Sequence, residues 1–454
     1  MNRYKLFFLS FVLLLSFGSC DRSSNAKGQE IDNSQVSPVS MDNKVIYELN
    51  VRNYSVDGFK GVEKDLPRLK ELGIDIIWLM PIHPIGEVNR NGSLGSPYAV
   101  KDYTDVNPEF GTKADFKALV DAAHGAGMEI MLDWVANHTA WDHPWASEHP
   151  DYYSYSDTGE RPYSPEGWLD VIELNFDNPS MRKEMIDAMK YWVTEFDIDG
   201  YRCDAVVFTP VDFWKEAREA IDPIKRITWL AEGDKPEYMS VFDYDYAWDF
   251  SSKLTQFGTG SDVGILKTAV QGLFDNPAYK DKGRMIYLTN HDVNSHENTE
   301  FTRFGANVLP LSVFYFTAYD MPLIYNGQEI GMNKMLSLFD YDPVLWEPAN
   351  KIYLNLFKDL TYLRRTHPAL EAGKNRGAIK FIETSDPKVL SYTRTKGDRQ
   401  VFVVLNFGAV ASQVRFPEGM PSGEFTDLFT GKKVSFPNSE GLTLMEKGYQ
   451  VFVK

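Results

Sequence analysis

The chain predicts an α/β fold, a closed parallel (β/α)8 barrel with a short loop insertion after the third strand, followed by a small C-terminal antiparallel β-sandwich. Three observations carry that expectation. Eight short apolar runs are spread over residues 44–326, with helix-period stretches between them. Runs apolar at almost every position suit strands buried on both faces, as in a closed barrel. Beyond Gly373 the helical pattern gives way to short strands punctuated by Gly, Pro and Asn.

At the N-terminus, MNRYKLFFLSFVLLLSFGSC places Arg3 and Lys5 ahead of an apolar run over 6–17, with small Gly18 and Ser19 before Cys20. That is the pattern of a secretory signal, here residues 1–19, and the apolar run is too short to span a bilayer comfortably. A cysteine directly behind the small residues is where a bacterial lipoprotein signal has it, although Phe17 stands in place of the usual small aliphatic. The expectation is an exported protein held to a bacterial membrane by a lipid on Cys20. Residues 20–41 are Ser, Asn, Asp and Gln with almost no large apolar side chain, which predicts a flexible tether. With Cys203 the only other cysteine, no intramolecular disulfide framework is expected, and Cys203 reads as a small buried hydrophobe.

The barrel is expected over 42–137 and 171–372. KVIYELN (44–50) precedes a helical DLPRLKELG, IDIIWLMP (74–81) follows it, and MEIMLDW (128–134) follows KADFKALVDAAHGAG. IDGYRCD (198–204) comes after MRKEMIDAMKYWVTEF, ITWLAE (227–232) after VDFWKEAREAI, then a weaker VFDYDYA, RMIYLTN (284–290) and MPLIYN (321–326), with a helical IYLNLFKDLTYLRR beyond. Residues 138–170, rich in Trp, Tyr, His and Pro, form the inserted piece, where Trp141, Trp145 and Trp168, with Trp134 before it, are candidates to line a cleft. Residues 373–454 form the sandwich. No internal sequence repeat is evident.

The net charge of −17 argues against a nucleic-acid partner, because phosphate binding draws on clustered Lys and Arg. Active sites of such barrels gather at the C-terminal strand ends. Those ends hold Asp133, Asn137 and His138 after the third strand, Arg202 and Asp204 at the fourth, Glu232 at the fifth, and Asn290, His291 and Asp292 at the seventh. Any one strand-end Asp has an ordinary role as a helix cap. So many charges converging on one rim shift one another's pKa values and destabilise the site unless function requires them. There is no GxxxxGK[ST] phosphate loop, no GxGxxG after the first strand and no serine elbow. Acid–base work with a carboxylate nucleophile remains, with glycoside hydrolysis the leading case and a metal-assisted hydrolase the rival.

These residues bear a resemblance. DWVANH (133–138), GYRCDA (200–205), AEGD (231–234) and TNHD (289–292) are similar, in order and spacing, to the sequence regions of the α-amylase family, glycoside hydrolase family 13. GIDIIWLMPIHP, SPYAVKDYTDVNPEFGT, IELN and MPLIYNGQEIG extend the match over nearly all of the mature length. The resemblance implies a TIM barrel, an α-glucan oligosaccharide or polysaccharide as substrate, and cleavage of α-1,4-glucosidic bonds with retention. It implies Asp204 as nucleophile, Glu232 as general acid/base and Asp292 as the third carboxylate. Tyr98 would stack under the sugar, His138 and His291 would hydrogen-bond it, and Arg202, also counted among the substrate-binding residues, would keep Asp204 ionised, with Asp133 supporting Arg202. The same site could serve an α-glucosidase, a cyclomaltodextrinase or an α-glucanotransferase. A non-catalytic glycan-binding protein would have lost a carboxylate, and all three are present.

Two departures bear on specificity. Many amylases carry a Lys-His pair after the nucleophile, whereas this chain reads AVVF over 205–208, with Val207 and Phe208 at those positions. That histidine also supplies a backbone ligand to calcium in many members, and Asn137 matches another ligand position. Calcium is therefore a possible cofactor, without evident acidic partners in the 138–170 segment.

Overall fold

In a computed structural model, residues 31–38, 43–156, 158–159, 162–260 and 262–454 are described. The expected signal segment and Cys20 lie outside them. Eight strands, β1 (Ile46–Leu49), β2 (Ile76–Leu79), β3 (Glu129–Trp134), β4 (Gly200–Cys203), β5 (Thr228–Ala231), β6 (Tyr244–Tyr246), β7 (Gly283–Ile286) and β8 (Met321–Tyr325), close into a barrel in sequential order. Every pairing is parallel, and β8 returns to β1 with Ile46 opposite Leu323. Alternation divides each strand between two cores. Ile46, Ile76, Trp78, Met131, Leu230, Tyr246, Met285 and Leu323 fill the interior, while Tyr47, Leu49, Ile77, Leu79, Tyr201 and Cys203 face the helical shell. Because both faces are buried, the strands read as continuous apolar runs.

The shell helices are α1 (Phe59–Leu72), α2 (Lys113–Gly125), α3 (Pro179–Phe196), α4 (Val211–Ile221), α5 (Trp248–Gly260), α6 (Val263–Asp275), α7 (Val308–Ala318) and α8 (Lys351–Thr366). Between β5 and β6 only a 3-10 turn, Pro236–Ser240, intervenes. Helix α7 is buried at nearly every position. It has no polar face to give a helical period, and so reads in the sequence like another strand.

The floor of the barrel repeats one device that the sequence pattern hides. An aspartate just before each even strand accepts a backbone N–H from the odd strand beside it: Asp75 from Val45 (3.0 Å), Asp199 from Ile130 (2.8 Å), Asp243 from Trp229 (3.1 Å) and Asp320 from Arg284 (3.1 Å). Each is then paired with a cation, Arg365, Lys225, Arg218 and Arg376 respectively. These four carboxylates satisfy strand-end donors that would otherwise be orphaned, and they fix strand heights at the base of the rim.

Within the segment expected as a tether over 20–41, the described residues 31–38 are held against the barrel. Asn33 is buried, and its amide donates to the Lys358 carbonyl (3.0 Å) and to Thr361 Oγ1 (3.2 Å), while Arg365 Nη2 donates to the Val36 carbonyl (2.5 Å). The segment docks on α8 through side-chain to backbone hydrogen bonds. A composition argument based on apolar burial cannot register that kind of anchorage.

The C-terminal region is a six-stranded antiparallel sheet in the order β9 (Ala378–Phe381), β10 (Val389–Lys396), β11 (Arg399–Asn406), β16 (Tyr449–Val453), β13 (Gly423–Asp427) and β14 (Lys433–Phe436). A two-stranded sheet, β12 (Ser412–Val414) with β15 (Leu442–Leu444), accompanies it. Phe402, Phe425, Phe436 and Phe452 share a core with Val414, Leu442 and Leu444 of the smaller sheet. The larger sheet meets α7 where Tyr392 Oη and Thr317 Oγ1 are 2.6 Å apart and Arg394 Nη1 donates to the Thr317 carbonyl (3.1 Å).

Candidate active site

The site is organised around one guanidinium. Strand register sets Arg202 of β4 beside Asp133 of β3, and the Glu232 backbone N–H is tied to the Cys203 carbonyl (2.9 Å). Arg202 is fully buried; Nη1 donates at 2.8 Å to both Asp133 Oδ1 and Asp204 Oδ1, and Nε donates to Tyr246 Oη (3.1 Å). Nη2 lies 2.5 Å from Glu232 Oε1, in ion-pair contact without hydrogen-bond alignment. Rings of Trp78, Tyr98 and Tyr246 surround the guanidinium carbon at 5.0, 5.9 and 5.7 Å. A buried cation is tolerated only when paired, and here it is shared among three carboxylates.

Immediately after Asp204 the backbone makes an unusual turn. Ala205 has φ +43° and ψ +45°, left-handed values that a side-chain-bearing residue adopts at a cost of about 1–2 kcal/mol. The conformation turns its N–H to donate to Glu232 Oε2 at 2.6 Å. Strain at this point is thus coupled to the orientation of the second carboxylate.

Burial is the main influence on all three Arg202 partners. It raises Asp204 to about 6, with Arg202 pulling down and Asp133 and Asp292 pushing up. It raises Glu232 further, to about 7, again against Arg202 and helped by Asp204 and Asp292. Asp133 rises to about 6 for the same first reason. Both carboxylates touch the arginine, and desolvation together with neighbouring negative charge keeps Glu232 the weaker acid.

On the opposite side a second chain of contacts runs inward. His291 Nδ1 meets Glu48 Oε1, its Nε2 is 2.7 Å from Tyr98 Oη and 3.4 Å from Asp292 Oδ2, and the Tyr98 hydroxyl donates to Asp133 Oδ2 (3.1 Å). Burial lowers the His291 pKa, but the Asp292 and Glu48 charges outweigh it and carry it to about 9. The ring is therefore an imidazolium at neutral pH. His138, without such partners, is held neutral by burial, near 4.

A cavity of about 260 Å³ opens above these groups, lined by Tyr98, His138, Asp204, Glu232, His291 and Asp292. Six of the site residues read from the sequence thus converge on one space. Arg202, expected among the sugar contacts, lies beneath it and acts through the carboxylates instead. Of the tryptophans, only Trp168 lines the cavity. Trp134 is fully buried, Trp145 packs on Tyr103 and Tyr152, and Trp141 donates to the Leu169 carbonyl (2.8 Å). Asn91, Asp170, His296, Leu338 and Phe339 are also in the lining and were not legible as site residues. Glu48 could have been found, since it is a lone carboxylate inside the apolar run KVIYELN.

Asn137 is the residue implied as a calcium ligand. Its Oδ1 is buried and without a hydrogen-bond partner, one oxygen that a cation could use. Among the described residues no group of three or more His, Cys, Asp or Glu could hold a metal. A hard dication takes six to eight oxygens, and Asn137 Oδ1 is one such oxygen.

Comparison with known proteins agrees with this geometry. A family model for the α-amylase catalytic domain matches residues 24–166 and 153–361, and one for the maltogenic amylase C-terminal domain matches residues 379–451. Alpha-amylase MalA of Haloarcula japonica is 29% identical over 415 residues, 87% of this chain; the chain spans 59% of that longer relative. Alpha-amylase 3 of Dictyoglomus thermophilum is 28% identical, with 82% of this chain and 86% of the relative covered. Among solved structures, an α-amylase from Lactobacillus plantarum is 30% identical with a TM-score of 0.80, covering 91% of this chain and 99% of that one. A noncanonic maltogenic α-amylase, AmyB of Thermotoga neapolitana, is also 30% identical, with a TM-score of 0.78 and coverages of 91% and 97%. The barrel, its carboxylates at the strand ends and the C-terminal sheet domain all fall within matches that span most of the sequence, and the chain belongs to the α-amylase family of glycosidases, glycoside hydrolase family 13.

Proposed function

We propose that the protein hydrolyses α-1,4-glucosidic bonds of starch or malto-oligosaccharides by double displacement with retention of anomeric configuration. The observation that carries this reading is the single guanidinium in contact with both Asp204 and Glu232. Sharing one cation keeps the two carboxyl groups close, in keeping with the separation of about 5–5.5 Å in retaining enzymes rather than the wider gap that admits a water.

Asp204, the stronger acid of the two, attacks the anomeric carbon. Its oxygen forms a bond to C1 as the C1–O bond to the leaving sugar breaks, and the Glu232 proton passes to that departing oxygen. Glu232, now ionised, takes a proton from water; the water oxygen bonds to C1, the bond to Asp204 breaks, and both residues return to their starting states. Positive charge developing on the ring is favoured by the carboxylates of Asp204 and Asp292. Tyr98, His138 and the charged His291 hold the sugar's face and hydroxyls. Arg202 positions both reacting carboxylates from below.

Transfer to a sugar hydroxyl is the second reading. It is favoured by Trp168 and Phe208, which lie edge to face with centroids 6.1 Å apart and are each 40% exposed, offering an acceptor an apolar platform. The sequence MNRYKLFFLSFVLLLSFGSC supports export with lipid attachment at Cys20, which would hold the enzyme at a bacterial membrane, periplasmic or at the cell surface. Incubation with maltoheptaose, with anomers followed by NMR, tests the mechanism. The α-anomer is expected first, and an Asp204→Asn variant is expected to lose at least about 1,000-fold in kcat. Early β-anomer, or an active Asp204→Asn enzyme, refutes it.

A further inference from the structure

We propose that this enzyme attacks its glucan from the non-reducing end, because the loops after β2, β7 and β8 are joined into a wall across the rim opposite Glu232. The inference rests on the hydrolase reading above and specifies how that site is used. In the ring of strands, β5, which ends at Glu232, lies diametrically across from β1, and β2 and β8 flank β1. The leaving group must sit where Glu232 can protonate it. The part of the glucan that stays bonded to the attacked carbon therefore extends toward β1, β2 and β8.

The loops on that side are tied together. Ser93, in the loop after β2, donates through its backbone N–H (2.8 Å) and its hydroxyl (2.6 Å) to Asp340 Oδ1 in the loop after β8. One residue on, the Leu94 N–H donates to the Phe339 carbonyl (3.0 Å). Arg52, in the helical turn that follows β1, fastens both loops from below. Its Nη1 donates to the Gly95 (2.9 Å) and Leu338 (3.0 Å) carbonyls and its Nη2 to that of Leu94 (3.2 Å), with Glu109 beside Nε (3.1 Å). His296, in the loop after β7, stands against Phe339 with centroids 6.4 Å apart.

On the leaving-group side Trp168, Val207 and Phe208 are 40–43% exposed, an apolar lip open to solvent. A wall of hydrogen-bonded loops on one side and a lip of sugar-compatible rings on the other suit a site that accepts a chain end and not a chain interior.

The test compares 4-nitrophenyl maltoheptaoside with the same compound whose non-reducing glucose carries a 4,6-O-alkylidene block, products being resolved by chromatography. The wild-type enzyme is expected to release one short product length from the free end and to cut the blocked compound at least about tenfold more slowly. A Ser93→Ala/Asp340→Ala double variant, which unties the two loops at the surface, is expected to recover at least about threefold on the blocked compound relative to the free one. Equal rates on the two compounds with the wild-type enzyme overturn the inference while leaving the hydrolase reading standing. Failure to cleave either overturns both.

Discussion

The Glu48→Gln substitution isolates the charge behind His291. Glu48 is buried at β1, its Oε1 meets His291 Nδ1 and lies 3.3 Å from the His291 backbone nitrogen, and its Oε2 has no partner. Glutamine can keep the contact to Nδ1 but not the charge. His291 stands at about 9 against an ordinary 6.5, and at about 1.4 kcal/mol per pH unit that difference is about 3 kcal/mol of preference for the charged, folded form. A histidine whose folded pKa is raised contributes stability that is complete below its unfolded value. That contribution is lost as pH rises through the folded value, here between about 6.5 and about 9. Removing one of its two raising charges leaves the desolvation of burial less opposed, so the variant's histidine loses its proton at lower pH. Urea unfolding at pH 6 and at pH 9.5 should therefore show the variant less stable by about 1–3 kcal/mol at the lower pH, with the gap shrinking at the higher. At pH 6.5, kcat/KM should fall about tenfold, the loss expected for one charge-assisted contact. A stability gap equal at both pH values would refute this account of His291.

Three other expectations follow from the same geometry. The pH profile of kcat/KM should be a narrow bell. Activity falls below about 6 as Asp204 takes a proton and above about 7 as Glu232 loses one, and a profile flat to pH 9 would contradict these roles. Asp75→Ala at the barrel floor strips the ion pair from Arg365, itself fully buried. It should cost about 3–5 kcal/mol of stability by denaturant titration while folded molecules keep their kcat, and a loss under about 1 kcal/mol would dismiss the floor carboxylates as ornaments. Cys20→Ser should move the protein from membrane to soluble fractions on cell fractionation, and an unchanged distribution would count against the lipid anchor.

The sequence by itself determined the barrel, because a strand buried on both faces and a helix buried on one face leave periodicities that any chain of this length displays locally. It also determined the rim carboxylates, since the alternation of side chains puts Arg202 and Asp204 on the same side of a strand that ends beside them. What lay beyond it were relations between residues far apart in the chain. Glu48 and His291 are 243 positions apart, so neither residue's own surroundings in the sequence announce that the pair sets a charge at the site. Arg202 was legible as a partner of Asp204, but its contact with Glu232 depends on the register of two strands. The docking of Asn33 and the capping of strand ends by Asp75, Asp199, Asp243 and Asp320 use hydrogen bonds to backbone groups, which carry no side-chain signature. The wall that joins Ser93 to Asp340 arises the same way. Its loops are polar and irregular in the sequence, and only the closed barrel, by placing β2 and β8 on either side of β1, brings them within hydrogen-bonding distance.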